Sequence, residues 1–123
     1  MSDNSKHCAT EQDYTDAIES AGDRLVVVHC CSERGEASQQ FAPVYETLAQ
    51  EHPSVLFLVL DMDRFETSNI GRMELGAWKT PTFVFLRDGN KLGSIQGADE
   101  SALRKGIANG GNVNGICSSC SIQ

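Results

Sequence analysis

Apolar and polar positions along the chain follow two periods in turn. Tyr14, Ala17, Ile18 and Ala21 recur at helical spacing, and Thr10 stands before them as an N-cap with an acid, Asp13, at the third helical position. The pattern predicts a first helix that stops at Gly22. Leu25 to Cys31 is then a continuous apolar run rich in valine, as in a strand covered on both faces and therefore central in an α/β sheet. The helical period returns from Glu36 to about Gln50 through Phe41, Val44, Tyr45 and Leu48, with Pro43 placed to kink that helix. Pro53 breaks the chain before a second all-apolar strand, Val55 to Leu60, closed by Asp61, Met62 and Asp63. Two strands with a helix between them form a βαβ unit, which implies parallel pairing and a right-handed crossover.

A weaker helix is expected over Phe65 to Leu75, with Gly76 as its stop. Thr82 to Leu86 and Lys91 to Ile95 flank the turn Arg87-Asp88-Gly89-Asn90 and read as a hairpin. The last helix runs from about Asp99 to Ala108. The glycine- and asparagine-rich stretch that follows is too poor in apolar bulk to pack well. The expected organisation is one domain over 1–109 and a flexible tail over 110–123. Cys8 is expected at the edge of the domain, and no internal repeat is visible.

The chain's 123 residues suit a single core. A formal net charge of −7 would repel phosphate backbones and anionic headgroups, so no nucleic-acid partner is expected. The longest apolar run, Val55 to Leu60, falls far short of the ~20 residues of a membrane-spanning helix, so no membrane partner is expected either. The N-terminal residues show no basic start followed by an apolar stretch. The 5 cysteines, Cys8, Cys30, Cys31, Cys117 and Cys120, do not resemble a secreted disulfide framework. Both point to a reducing, cytoplasmic setting.

Six segments in order carry a family resemblance: Ala17 to Val28, Ala42 to Ala49, Asp61 to Asp63, Thr80-Pro81-Thr82-Phe83, Asp88 to Lys91, and Gly97-Ala98. Together they resemble thioredoxins over roughly residues 9 to 108. The resemblance implies a thioredoxin fold, a central mixed β-sheet flanked by helices in the α/β class, and a place in cell redox homeostasis. It also exposes a departure. Where thioredoxins carry Trp-Cys-Gly-Pro-Cys, this chain carries Arg34, Gly35, Glu36, Ala37 and Ser38, and His29 stands at the family's buried-acid position. The segment between Asp63 and Pro81 is a few residues longer than usual.

Thiol exchange in the family depends on a thiolate at a helix N-terminus, where unpaired N–H groups and the helix dipole lower its pKa. Gly35 offers no nucleophile there, and the Ser38 hydroxyl cannot form a mixed disulfide. Ser38 reads as a cap of the helix start; a Ser38–His29 hydrolase would need an oxyanion site and an orienting acid that the sequence does not show. His29, inside a strand covered on both faces, reads as a hydrogen-bonded core histidine held neutral by burial.

Consecutive strand positions put Cys30 and Cys31 on opposite faces, where they pack as small apolar residues, with Cys31 nearer the strand end and partly accessible. A bond between them is disfavoured because their Cα atoms lie ~3.8 Å apart. Cys117-Ser118-Ser119-Cys120 is the one Cys-x-x-Cys spacing in the chain and could close a disulfide or attack a partner's. A second ligand pair for zinc is lacking, so no metal and no cofactor are expected.

Thr80-Pro81 matches the family loop in which the proline peptide is cis and which offers backbone hydrogen bonds to an extended substrate segment. Such capture needs no sulfur. Trp78 could line this groove or belong to the core. Three functions stay open. The first is a redox-inactive binding or regulatory module that holds a protein or peptide beside Pro81. The second is an atypical oxidoreductase using Cys117 and Cys120. The third is likeness to the thioredoxin-like N-terminal domains of multidomain monothiol glutaredoxins, although this chain carries no glutaredoxin domain.

Overall fold

The computed structural model describes residues 4–32, 36–64, 67, 69–77 and 81–113, with side chains at 36–38 and 74 outside the described set. Five strands form one sheet: β1 (Ser5–Cys8), β2 (Val26–Cys31), β3 (Leu56–Asp61), β4 (Thr82–Arg87) and β5 (Asn90–Gln96). The α-helices bounded within the described residues are α1 (Glu11–Ala21), α2 (Glu36–Glu51) and α3 (Glu100–Ala108). The order across the sheet is β1-β3-β2-β4-β5. β1, β3 and β2 pair in parallel, whereas β2–β4 and β4–β5 are antiparallel. The sheet is therefore mixed, with the valine-rich β2 at its centre as its unbroken apolar run implies.

Local chemistry explains the element ends. Thr10 and Asp13 close a reciprocal capping box on α1, Thr10 Oγ1 accepting from the Asp13 amide at 3.1 Å and the Asp13 carboxylate accepting from the Thr10 amide at 3.2 Å. Asp99 caps α3 by accepting from the Ala102 amide. Arg87 and Asn90 are cross-strand partners, so the hairpin loop is the two residues Asp88 and Gly89, with φ of 55° and 79°. Positive φ at both central positions is the type I′ geometry that suits the twist of the flanking strands.

The sheet buries both faces. On one, Tyr14, Ala17 and Ala21 of α1 cover Val26, Val28, Cys30, Leu56, Leu58 and Leu60. On the other, Phe41, Tyr45 and Leu48 of α2 and Leu103 and Ile107 of α3 cover Val27, Phe57, Phe83 and Phe85. The Tyr45 hydroxyl reaches the carbonyl oxygens of Leu58 at 2.7 Å and Val27 at 2.8 Å, tying α2 to the β2–β3 seam. Gly106 lets α3 approach β4 closely, since a Cβ there would meet the Phe85 ring at 2.6 Å.

β1 is an element that the hydrophobic pattern does not announce. Ser5, Lys6 and His7 are polar, and of the four residues only Cys8 is buried. The strand is held instead by its backbone ladder to β3 and by Asn4, whose side-chain amide reaches the carbonyls of Ala49 and His52 at 2.9 Å and of Val55 at 2.8 Å. Of the helix expected over Phe65 to Leu75, the described residues Thr67 and Asn69 are α-helical and Ile70–Glu74 form a five-residue π turn, after which Gly76 has φ 71°. At the other end the chain stays on the domain beyond position 109, with Gly111 buried and Val113 packed on the α2–α3 side; residues 114–123 lie outside the described set. No described helix is long and apolar enough to cross a membrane.

Candidate functional site

The parallel strands β2 and β3 end side by side, and α2 begins just beyond β2. At this edge the sheet registers bring side chains into rows. His7, Val59 and His29 are successive cross-strand partners, and His29 is in turn paired with Phe83. One step further along, Asp61 is paired with Cys31. Alternation places His29 and Cys31 on the α2 face of the sheet.

His29 is 2% exposed. Its ring stacks on Phe83 at 4.6 Å and 20°, and lies 4.8 Å from the Tyr45 ring and 6.3 Å from that of Phe41. Burial, with a smaller contribution from His7, lowers its pKa to about 4, so the imidazole is neutral at physiological pH. The expectation of a core histidine holds for burial and charge, but not for hydrogen bonding at Nε2. Nε2 is buried and has no partner among the described residues, its ring lying among those of Phe83, Tyr45 and Phe41.

The cysteines divide as the strand alternation requires. Cys30 is fully buried on the α1 face, and burial followed by the neighbouring Cys31 pushes its thiol up to about 12. Cys8 is also buried, and burial followed by Asp13 pushes it up to about 11. Cys31 is half-buried and its S–H donates to the Leu60 carbonyl at 3.6 Å. These three carry no disulfide.

Pro81 is buried, and its carbonyl accepts from the Gly97 amide at 2.8 Å. Proline has no N–H, so a backbone donor to a bound strand must come from a neighbour of Pro81. Trp78 and Thr80 lie outside the described residues, as do Arg34, Gly35, Cys117 and Cys120. Glu36, Ala37 and Ser38 form the first turn of α2, with their side chains outside the description. Of the sequence-derived site, the structure brings His29 and Pro81 near each other, since His29 pairs with Phe83, two positions after Pro81, in the β2–β4 ladder.

On the opposite side of β2 from Pro81 lies a cavity of about 410 Å³. His7 of β1, His29 and Cys31 of β2, Val59 and Asp61 of β3, and Tyr45 of α2 are among its lining residues. The sequence does not mark His7 as a site residue, since its meeting with His29 across Val59 depends on β1 pairing with β3. Among the described residues no group of three or more His, Cys, Asp or Glu side chains is disposed to hold a metal ion.

The thioredoxin family model matches residues 5–109. The chain belongs to the thioredoxin family. A thioredoxin from Geodia cydonium is 35% identical over 100 residues, covering 80% of this chain and 91% of the relative. A thioredoxin H-type from Populus jackii is 41% identical over 69 residues, covering 56% of this chain, which spans only 48% of that relative's length. Among solved structures, Fasciola hepatica thioredoxin superposes with a TM-score of 0.78 at 31% identity, over 85% of this chain and 98% of that one. This thioredoxin-family chain therefore has the mixed five-stranded sheet of its relatives, and its own residues must decide what its site can do.

Proposed function

We propose that this protein is a thioredoxin-fold module without the family's dithiol chemistry, which holds an extended protein segment beside Pro81 and the start of α2 and serves redox homeostasis by binding rather than turnover. The observation that carries the reading is that Gly35 immediately precedes the first residue of α2 and that no cysteine occurs between Cys31 and Cys117. A helix start of this kind favours a thiolate when a sulfur is present. Glycine and serine leave it able to bind but unable to exchange. The buried Pro81 and the strand that follows it support β-type capture of a peptide, which relies on main-chain hydrogen bonds.

The test is disulfide reduction with a thioredoxin-type electron donor, run on the wild type and on Cys117→Ser and Cys120→Ser variants. No turnover is expected in any of the three. Turnover in the wild type that disappears in either variant would overturn the binding-module reading in favour of an oxidoreductase that works through the tail pair.

A further inference from the structure

The cavity beneath the β1–β3–β2 edge is reached from Cys31, which follows the Cys30–Thr82 pair of the β2–β4 ladder, and what it can hold is read from its own lining rather than from peptide capture. We propose that it is a thiolation site: Cys31 exchanges with low-molecular-weight disulfides of net positive charge, and the added group occupies the cavity that His29 lines.

Four observations converge on this. Among the described cysteines, Cys8 and Cys30 are 3% and 0% exposed, whereas Cys31 is half-buried and lines the cavity. The cavity's volume of about 410 Å³ lies within the range, roughly 300–1,000 Å³, of sites that take small molecules. His29 lines the same space with a ring nitrogen that finds no partner among the described residues, and a buried polar atom left unpaired is costly until something supplies a partner. The charges of the lining select a cation. Asp61, the register partner of Cys31, and Glu46 both line the cavity. The guanidinium among the lining residues, Arg64, is 62% exposed and lies 3.8 Å from Asp61. Among the described lining residues two carboxylates, that of Glu46 also accepting from the Ser5 hydroxyl at 3.0 Å, stand against one solvent-facing guanidinium, which in a chain of net charge −7 favours a net-cationic disulfide over a net-anionic one.

An internal bridge does not compete. Cys8 and Cys31 stand on either side of β3, opposite Leu60 and Asp61, so their Cα atoms are about two strand spacings, ~10 Å, apart, beyond disulfide reach. The step itself balances. The Cys31 thiolate attacks one sulfur of the small disulfide, whose S–S bond breaks as the bond to Cys31 Sγ forms. The other half leaves as a thiol carrying the proton that Cys31 gave up. One disulfide is consumed and one formed, with no external oxidant.

The experiment uses the full-length chain with Cys117→Ser and Cys120→Ser, reduced and then treated with cystamine (cationic), hydroxyethyl disulfide (neutral) or oxidised glutathione (anionic). Mass spectrometry is expected to show one adduct, absent when Cys31→Ser is added and retained when Cys30→Ala is added instead. Rates should fall in the order cystamine, hydroxyethyl disulfide, oxidised glutathione, and the spread should shrink at high salt. The His29 ring resonances should move on modification. An adduct that survives Cys31→Ser, a fastest reaction with oxidised glutathione, or an unmoved His29 signal would each overturn the proposal. The last two are read on protein that keeps Cys31.

Discussion

His29 and Phe83 face each other across the antiparallel β2–β4 ladder with their rings 4.6 Å apart and 20° from parallel. A neutral imidazole stacks there as an aromatic ring among others, and an imidazolium would have to leave water for a buried pocket in which its Nε2–H finds no acceptor among the described residues. The neutral form is therefore built into the core.

That preference makes stability fall in acid. With a folded pKa of about 4 against 6.5 unfolded, the unfolded chain binds the extra proton first as pH drops. Stability from this group is complete above about pH 6.5 and is lost progressively down to about pH 4, in total about 3 kcal/mol. Urea unfolding at pH 7 and pH 4.5 should show the loss in the wild type and a clearly smaller one in His29→Leu. Equal losses in the two proteins would remove His29 as the cause.

The Tyr45 hydroxyl offers a second check on how the site is held. It is completely buried and donates toward the carbonyls of Val27 and Leu58, at the seam from which β2 and β3 run on to His29 and Val59. Tyr45→Phe keeps the ring contacts with His29 and Phe57 and removes only that donor. A loss of about 1–2 kcal/mol in urea unfolding is expected, since buried carbonyls lose a partner that no water replaces. An unchanged midpoint would mean that the strand ladders alone satisfy those oxygens.

Much of the fold is legible in the residues because its signals are local. The Thr10–Asp13 box, the Asp88-Gly89 turn and the valine run of β2 each specify their own conformation within a few positions. β1 is not legible, because Ser5 to Cys8 becomes a strand through pairing with a segment about fifty positions later and through Asn4, neither of which leaves a hydrophobic pattern. The same distance hid the cavity. His7 and His29 look unrelated in sequence and become neighbours of Val59 only once β3 lies between β1 and β2. The absent sulfurs at Gly35 and Ser38 are legible at once, because a missing atom type is a property of the residues themselves.

Returning those sulfurs tests whether the helix start still has the family's capacity. Gly35→Cys would place a thiol directly before α2, a helix of 16 residues whose terminal N–H groups stabilise an anion. Ser38→Cys would add a resolving thiol three positions on, within the first turn. The double variant is expected to catalyse reduction of insulin disulfides by dithiothreitol at least about tenfold faster than the wild type, because a lowered thiol pKa raises the thiolate fraction at neutral pH. The single Gly35→Cys variant should form mixed disulfides yet fail to turn over, having nothing to resolve them. The buried group beneath is a neutral imidazole rather than a carboxylate, so the double variant's rate should follow the titration of the new thiol alone between pH 6 and 8, with no second inflection from His29, whose pKa lies near 4. A double variant that retains wild-type unfolding behaviour but gains no activity would show that positions 35 and 38 do not stand where thioredoxins hold their two sulfurs.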